Sequence, residues 1–170
     1  MHGTFLIEVT HKSGGKDPLA AEITEDLKHL GVRTSCKVAT SKLYRMIGQL
    51  SSEERARVGK ELLSDPIVEE AHDGGWKPKE PLSGVATATR RKLSGTQSVV
   101  VDVWYKQGVT DAVGESVLKG LHDMNLEEIQ DVRTGMRYRF IGLKDRKVAD
   151  KFALAVLMNP LIHERIIHAD

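Results

Sequence analysis

From Thr4 to Lys12 apolar and polar positions alternate, with Phe5, Ile7 and Val9 on one side and Glu8 and Thr10 on the other. A period of two predicts a strand with one buried face. Ser13-Gly14-Gly15-Lys16 interrupts it, and Asp17-Pro18 opens the next element. An aspartate suits the N-cap, where its carboxylate accepts from the free amides of a first turn. Proline suits the first helical position, where a missing N–H costs nothing. Leu19, Ile23, Leu27 and Leu30 then recur at helical spacing, and Gly31 is placed to stop the helix. Val32 to Thr40 and Leu43 to Leu50 read as a hairpin turning near Ser41-Lys42, with Tyr44 and Met46 facing inward and Arg45 outward. Ser51 and Glu54 have the spacing of a capping box. The helix they begin buries Val58, Leu62 and Leu63 and ends before Asp65-Pro66, because a residue preceding proline is pushed out of the helical region. Ile67-Val68 starts a short segment read as a strand.

The same series occurs again 94 residues later without a gap. Val9 falls on Val103, Lys12 on Lys106, Gly14 on Gly108, Asp17 on Asp111, Leu27 on Leu121, Thr40 on Thr134, Tyr44-Arg45 on Tyr138-Arg139 and Pro66 on Pro160. In the copy, Val99, Val101 and Val103 take the buried strand positions. Val113, Val117, Leu121 and Met124 form the helical stripe, and Asn125 replaces the glycine stop. The second hairpin is expected to turn at Gly135-Met136, with Tyr138 and Phe140 inward and Arg139 outward. A helix from Asp145 to Met158 buries Val148, Phe152, Val156 and Leu157 and stops at Asn159-Pro160. One constant offset through strands, turns and helices marks a duplicated unit.

Between the copies, residues 73–98 are rich in Gly, Pro, Ser and Thr and have no sustained period. Residues 1–72 therefore form a first unit, 73–98 a linker and 99–170 a second unit. Each unit reads β-α-β-β-α-(β), an α+β arrangement of antiparallel strands with helices on one face. A unit of this size buries only about 60% of its unfolded surface and is marginal alone. The two are expected to pack about a pseudo-twofold axis, so that the fused chain imitates a dimer. The linker spans roughly 28 Å as a random coil, enough to carry the chain past a unit roughly 25–30 Å across.

Composition changes this picture only by exclusion. The 170 residues carry a formal net charge of +1, without the basic excess of a nucleic-acid binder. No apolar run approaches the ~20 residues that span a bilayer, and the start MHGTFLIEVTHK has no signal-peptide pattern. One cysteine, Cys36, excludes an internal disulfide and points to a reduced, cytoplasmic setting.

The stretch Lys106-Gln107-Gly108-Val109-Thr110-Asp111-Ala112-Val113-Gly114, with Val132-Arg133-Thr134-Gly135-Met136 and Asn159-Pro160, resembles the PurS family. PurS is the small subunit of formylglycinamidine ribonucleotide (FGAM) synthetase. The resemblance covers Val99 to about Ile167. In the first half it is carried by Lys12, Gly14, Asp17-Pro18, Leu30-Gly31-Val32 and Asp65-Pro66. Gln107 and Ala112 stand where the family has prolines, Met136 where it has a lysine, and the first half has Ala39-Thr40-Ser41 in place of Arg-x-Gly. The resemblance implies a PurS-like pseudo-dimer, free to self-associate further, in de novo purine synthesis. Its implied partners are a synthetase (PurL-type) and a glutaminase (PurQ-type), which the small subunit bridges for ammonia transfer. ATP and Mg are implied on the synthetase, and no cofactor or metal on this chain.

The residues alone offer no nucleophile, acid–base pair, metal cluster or cofactor loop, so no catalytic residue is assigned. Lys12 and Lys106 follow a first strand close to a helix N-terminus, where a lysine and backbone amides hold an anion or partner carboxylate; a solvated lysine is the plain alternative. Gly108 and Asp111 belong to the same loop. Arg133 and Arg139 are read as an outward pair for an acidic partner face, or equally as solvated strand residues. Ser13-Gly14-Gly15-Lys16 lacks phosphate-loop spacing, and His163 to His168 misses H-E-x-x-H by one place. Tyr44 and Tyr138 read as core, Cys36 as a small buried residue, and Arg90-Arg91-Lys92 as a charged linker segment or a docking or proteolysis site. The alternative to a scaffold is a ferredoxin-like or ACT-like module sensing a small ligand between its units.

Overall fold

The computed structural model describes residues 3–31, 36–74 and 98–169. The first half gives β1 (Gly3–His11), α1 (Pro18–His29), β2 (Lys37–Gly48), α2 (Ser52–Val58) and β3 (Glu69–Asp73). The second gives β4 (Ser98–Tyr105), α3 (Ala112–Asp123), β5 (Asp131–Ile141), α4 (Arg146–Phe152) and β6 (His163–Ala169). A single π turn extends α2 over Gly59–Leu63, and another extends α4 over Ala153–Leu157, at equivalent places. Residues 75–97, most of the expected linker and including Arg90-Arg91-Lys92, lie outside the described residues. So does 32–35 of the expected first hairpin arm.

The α+β class and the pseudo-twofold are borne out. Six antiparallel strands form one sheet in the order β3-β1-β2-β5-β4-β6, each half supplying three. Register repeats with the sequence: Thr4 pairs Ile47 as Ser98 pairs Ile141, and Glu8 pairs His72 as Asp102 pairs Ile166. The halves join along β2 and β5, where Val38 faces Phe140 and Met46 faces Val132. Adding 94 exchanges these two pairs, so the axis runs between Lys42 and Met136, which face each other.

The expected hairpins do not form. Residues 37–48 and 131–141 each run as one strand through the positions read as turns. Alternation never changes phase across Ser41-Lys42 or Gly135-Met136, and a strand that pairs across the axis needs no turn there. Gly135 serves a different need. A Cβ on it would lie 2.7 Å from the Trp104 ring and 2.7 Å from the Val103 carbonyl. The residue is small because Trp104 lies over it.

Neither half keeps its core to itself. Leu121, Val117, Leu126, Ile129 and Val132 of the second half pack with Ile7, Val9, Tyr44, Met46, Val58 and Leu63 of the first. Ile23 and Leu27 of α1 pack with Val99, Val101, Val103, Tyr138, Phe140 and Phe152 of the second. α1 and α3 thus reach across the join, α1 held at β2 and α3 at β5 while their apolar side chains enter the core of the other half, and both cores lie on the one helical face of the sheet. Among the described residues no helix is long and apolar enough to cross a membrane.

Leu121→Ala is expected to cost about 2–5 kcal/mol, the range for a buried leucine. Because Leu121 belongs to a core built by both halves, circular dichroism and tryptophan fluorescence should change in one shared denaturant transition. Two separated transitions would contradict the mixed core.

Candidate functional site

Two aspartates fix the helices to the sheet, and they explain why this loop sequence recurs. Asp17 caps α1 by accepting from the Ala20 amide at 2.9 Å, and it also accepts from the Thr40 amide at 2.8 Å and the Thr40 hydroxyl at 3.0 Å. Asp111 accepts from the Gly114 amide at 2.8 Å, the Thr134 amide at 2.6 Å and the Thr134 hydroxyl at 2.8 Å. Each carboxylate therefore caps the start of a helix and staples it to the strand, β2 or β5, at which its half joins the other. Asp111 is buried, which makes it a structural anchor.

Lys12 and Lys106 also act in pairs. The Lys106 ammonium donates to the Pro160 carbonyl at 2.5 Å, and Lys12 donates to the Pro66 carbonyl. Each lysine ties the start of the first loop to the turn that follows the π segment. Those turns are rigid by construction. Asp65 accepts from the Ile67 amide at 2.8 Å, and Asn159 accepts from the Leu161 amide at 3.0 Å. They hold Ile67 at 81% and Leu161 at 80% exposure, a matched apolar pair related by the axis. Gly108, like Gly14, has φ of +82° and makes the tight turn beside its lysine.

The face of the sheet turned away from the helices carries a charged centre. Glu8 is fully buried, yet it accepts from Arg139 at 2.7 Å, Arg137 at 2.8 Å and the Ser41 hydroxyl at 2.5 Å. Arg137 also donates two bonds to Asp102, at 2.6 and 2.7 Å. Glu8 and Asp102 are equivalent positions, so Arg137 spans the axis between two copies of one carboxylate. Burial alone would raise the Glu8 carboxyl; Arg139, Ser41 and Arg137 together outweigh it and leave the pKa lowered. Burial likewise opposes the charge of Arg137, and its two carboxylate partners more than restore it.

This corrects the outward, exposed reading of Arg139, which is 6% exposed and inside an ion pair between the halves. Arg133 remains part-exposed, 3.3 Å from Asp131. Glu8, Asp102 and Arg137 were not singled out in the sequence. The available signal was a carboxylate recurring at the same place in two otherwise apolar strands. His163 packs against Tyr105, and His168 reaches Asp102 at 3.1 Å. Among the described residues no three His, Cys, Asp or Glu side chains gather as a metal site would require.

These features define a class: a fused dimer of small β-α-β-α-β units, presenting the same clasped loop twice. Residues 98–170, the second copy, match the family model of PurS, phosphoribosylformylglycinamidine (FGAM) synthase. The chain is 30% identical to PurS of B. subtilis over 44% of its own length and 98% of that protein's, with a TM-score of 0.39. It is 19% identical to PurS of Methanocaldococcus jannaschii over 44% of its length and 95% of that chain, with a TM-score of 0.40. The latter is one of the subunits of formylglycinamide ribonucleotide amidotransferase in the purine biosynthetic pathway. The chain belongs to the PurS family. Comparison with curated proteins gives no match.

The Glu8 cluster sets a pH dependence. A carboxylate whose folded pKa is lowered stabilises the protein above its unfolded value and loses that contribution as pH falls. Stability is expected to decline below the ordinary glutamate value of 4.5. Glu8→Gln should lower the melting midpoint at neutral pH and flatten the decline toward pH about 3. Parallel wild-type and variant curves would show that Glu8 does not carry it.

Proposed function

We propose that the chain is a non-catalytic scaffold subunit of FGAM synthase in de novo purine biosynthesis. In this reading it bridges a synthetase (PurL-type) and a glutaminase (PurQ-type) in the cytoplasm. ATP and Mg belong to the synthetase, where formylglycinamide ribonucleotide is converted; glutamine is hydrolysed on the glutaminase. The observation that carries the reading is the doubled loop on a single rigid sheet. Ile67 and Leu161 stand out from turns held by Lys12 and Lys106, so one chain offers two equivalent attachment points at a fixed separation. PurS membership supplies the reaction in which such an attachment has a use.

The physical contribution is placement. Ammonia released by one subunit must reach the other before it escapes to solvent. Holding both enzymes on one body raises the effective concentration of each near the other. Arg133 and the two clasped loops are the proposed contacts. Gly108 and Asp111 act by shaping the loop and helix start behind them, and Arg139 by joining the halves.

Product formation is compared with glutamine and with ammonium as nitrogen source, with and without this chain. Omission should abolish most of the glutamine-dependent rate and leave the ammonium-dependent rate nearly unchanged. The double substitution Ile67→Asp and Leu161→Asp, or Arg133→Glu, should weaken assembly with an unchanged melting curve. A glutamine-dependent rate indifferent to the chain would end the scaffold reading.

A further inference from the structure

The chain contains three tyrosines, and all of them line one cavity. It has a volume of about 470 Å³ and lies on the helical side beside the pseudo-twofold, where Lys42 faces Met136. Tyr44 enters from β2, Tyr138 from β5 and Tyr105 from the end of β4, and His163 from the start of β6 closes the aromatic wall. Val103, Val113 and Leu157 supply apolar surface. The volume falls within the range of ordinary small-molecule sites.

The polar groups here are unspent. Tyr44 and Tyr138 are 7% and 6% exposed, and neither phenol hydroxyl has a hydrogen-bond partner among the described residues. Both hydroxyls open onto the cavity and are not sealed in the core, so a ligand there can take them up in place of water. Burial raises both pKa values, aided at Tyr44 by the charges of Glu69 and Asp111, so both hydroxyls keep their protons to donate. His163 Nδ1 accepts from the Asn159 amide at 3.1 Å, which places the ring proton on Nε2. Burial lowers the His163 pKa and keeps the ring neutral. Its ring centre lies 4.8 Å from that of Tyr105, with the two planes at 60°. Lys42 at the cavity is already neutralised by Glu69 at 2.6 Å.

The cavity is a product of divergence between the halves. The positions equivalent to Tyr105 and His163 are His11 and Glu69, and Glu69 is the residue that binds Lys42. An aromatic pair in the second half thus replaces an imidazole and a charged carboxylate in the first.

We propose that this cavity is a binding site for a planar, uncharged heteroaromatic molecule whose edge atoms accept hydrogen bonds. Its flat faces match the aromatic and aliphatic walls. Its acceptors satisfy the phenol hydroxyls of Tyr44 and Tyr138 and the Nε2–H of His163. Lys42, the one charged residue among the described residues lining the cavity, is balanced by Glu69 outside it, which disfavours an anion or a cation. The site adjoins the second clasped loop, through Tyr105 beside Lys106 and His163 bonded to Asn159, but none of the proposed scaffold contacts, Ile67, Leu161 and Arg133, lines it.

Labelling the full chain with 3-fluorotyrosine gives three fluorine resonances, every one of them in the site. Titration with adenine and with benzimidazole should move all three saturably. Cyclohexanone, which accepts a hydrogen bond but is not planar-aromatic, should not, and adenosine monophosphate should bind no more tightly than adenine. Tyr138→Phe and His163→Ala should each weaken binding about tenfold, the equivalent of one hydrogen bond. Val113→Trp, at a half-exposed position on the wall, should block binding while leaving the melting curve unchanged. The proposal is overturned if neither heteroaromatic probe gives a saturable shift. It is equally overturned if cyclohexanone does as well as they do, if the monophosphate binds better, or if the folded Val113→Trp protein still binds.

Discussion

The antiparallel ladder between β2 and β5 aligns Lys37 through Ile47 with Ile141 through Asp131 without a break. An antiparallel pair carries its own twofold axis, and here that axis coincides with the axis of the sequence repeat. Everything else inherits this register. A slip of one residue would turn Tyr44, Met46, Tyr138 and Phe140 toward the charged face and bring Ser41 and Arg139 under the helices. The helices cannot compensate, because α1 and α3 are each tied to β2 or β5 by a carboxylate and share a core with the opposite half.

Fusion of two copies releases the axis from strict symmetry. In a dimer of identical chains every residue near the axis meets its own copy, so one charge there means two. Here Arg137 is equivalent to Leu43, and Lys42 to Met136. One arginine can therefore serve both Glu8 and Asp102, where two symmetric arginines would crowd. The same freedom separates Glu69, bound to Lys42, from His163, tilted against Tyr105. Buried ion pairs pay a large desolvation cost and add little net stability. Their contribution here is to match one half to the other.

Local chemistry was legible in the sequence. The caps at Asp17, Asp111 and the Ser51–Glu54 box stand where their spacing placed them. Gly31 and Asn125 take φ of +73° and +62° at the helix ends. The repeat foretold two equivalent halves. Long-range choices were not legible. A helical stripe such as Ile23 and Leu27 says that a face is buried but not which copy buries it. Gly135 carries a turn signal, yet its smallness answers to the Trp104 ring. Alternation sends Arg139 to the outward face, and only the third dimension shows that this face holds a buried carboxylate. Tyr44 and Tyr138 were read as core, which is right for their rings and incomplete for their hydroxyls.

The reach of the helices across the join also governs how the chain can be born. Much of the buried surface against α1 belongs to β4 and β5, so when Leu27 leaves the ribosome Val101 and Phe140 of its core do not yet exist. At translation rates of about 5–20 residues per second, the wait until Ile141 emerges is roughly 6–23 s. Throughout it the apolar face of α1 has, among the described residues, only Cys36 and Val38 of its own half against that core, and β1 lacks Val117 and Leu121. The first half can pair β1, β2 and β3 as it emerges, but both cores stay incomplete until the last strands arrive.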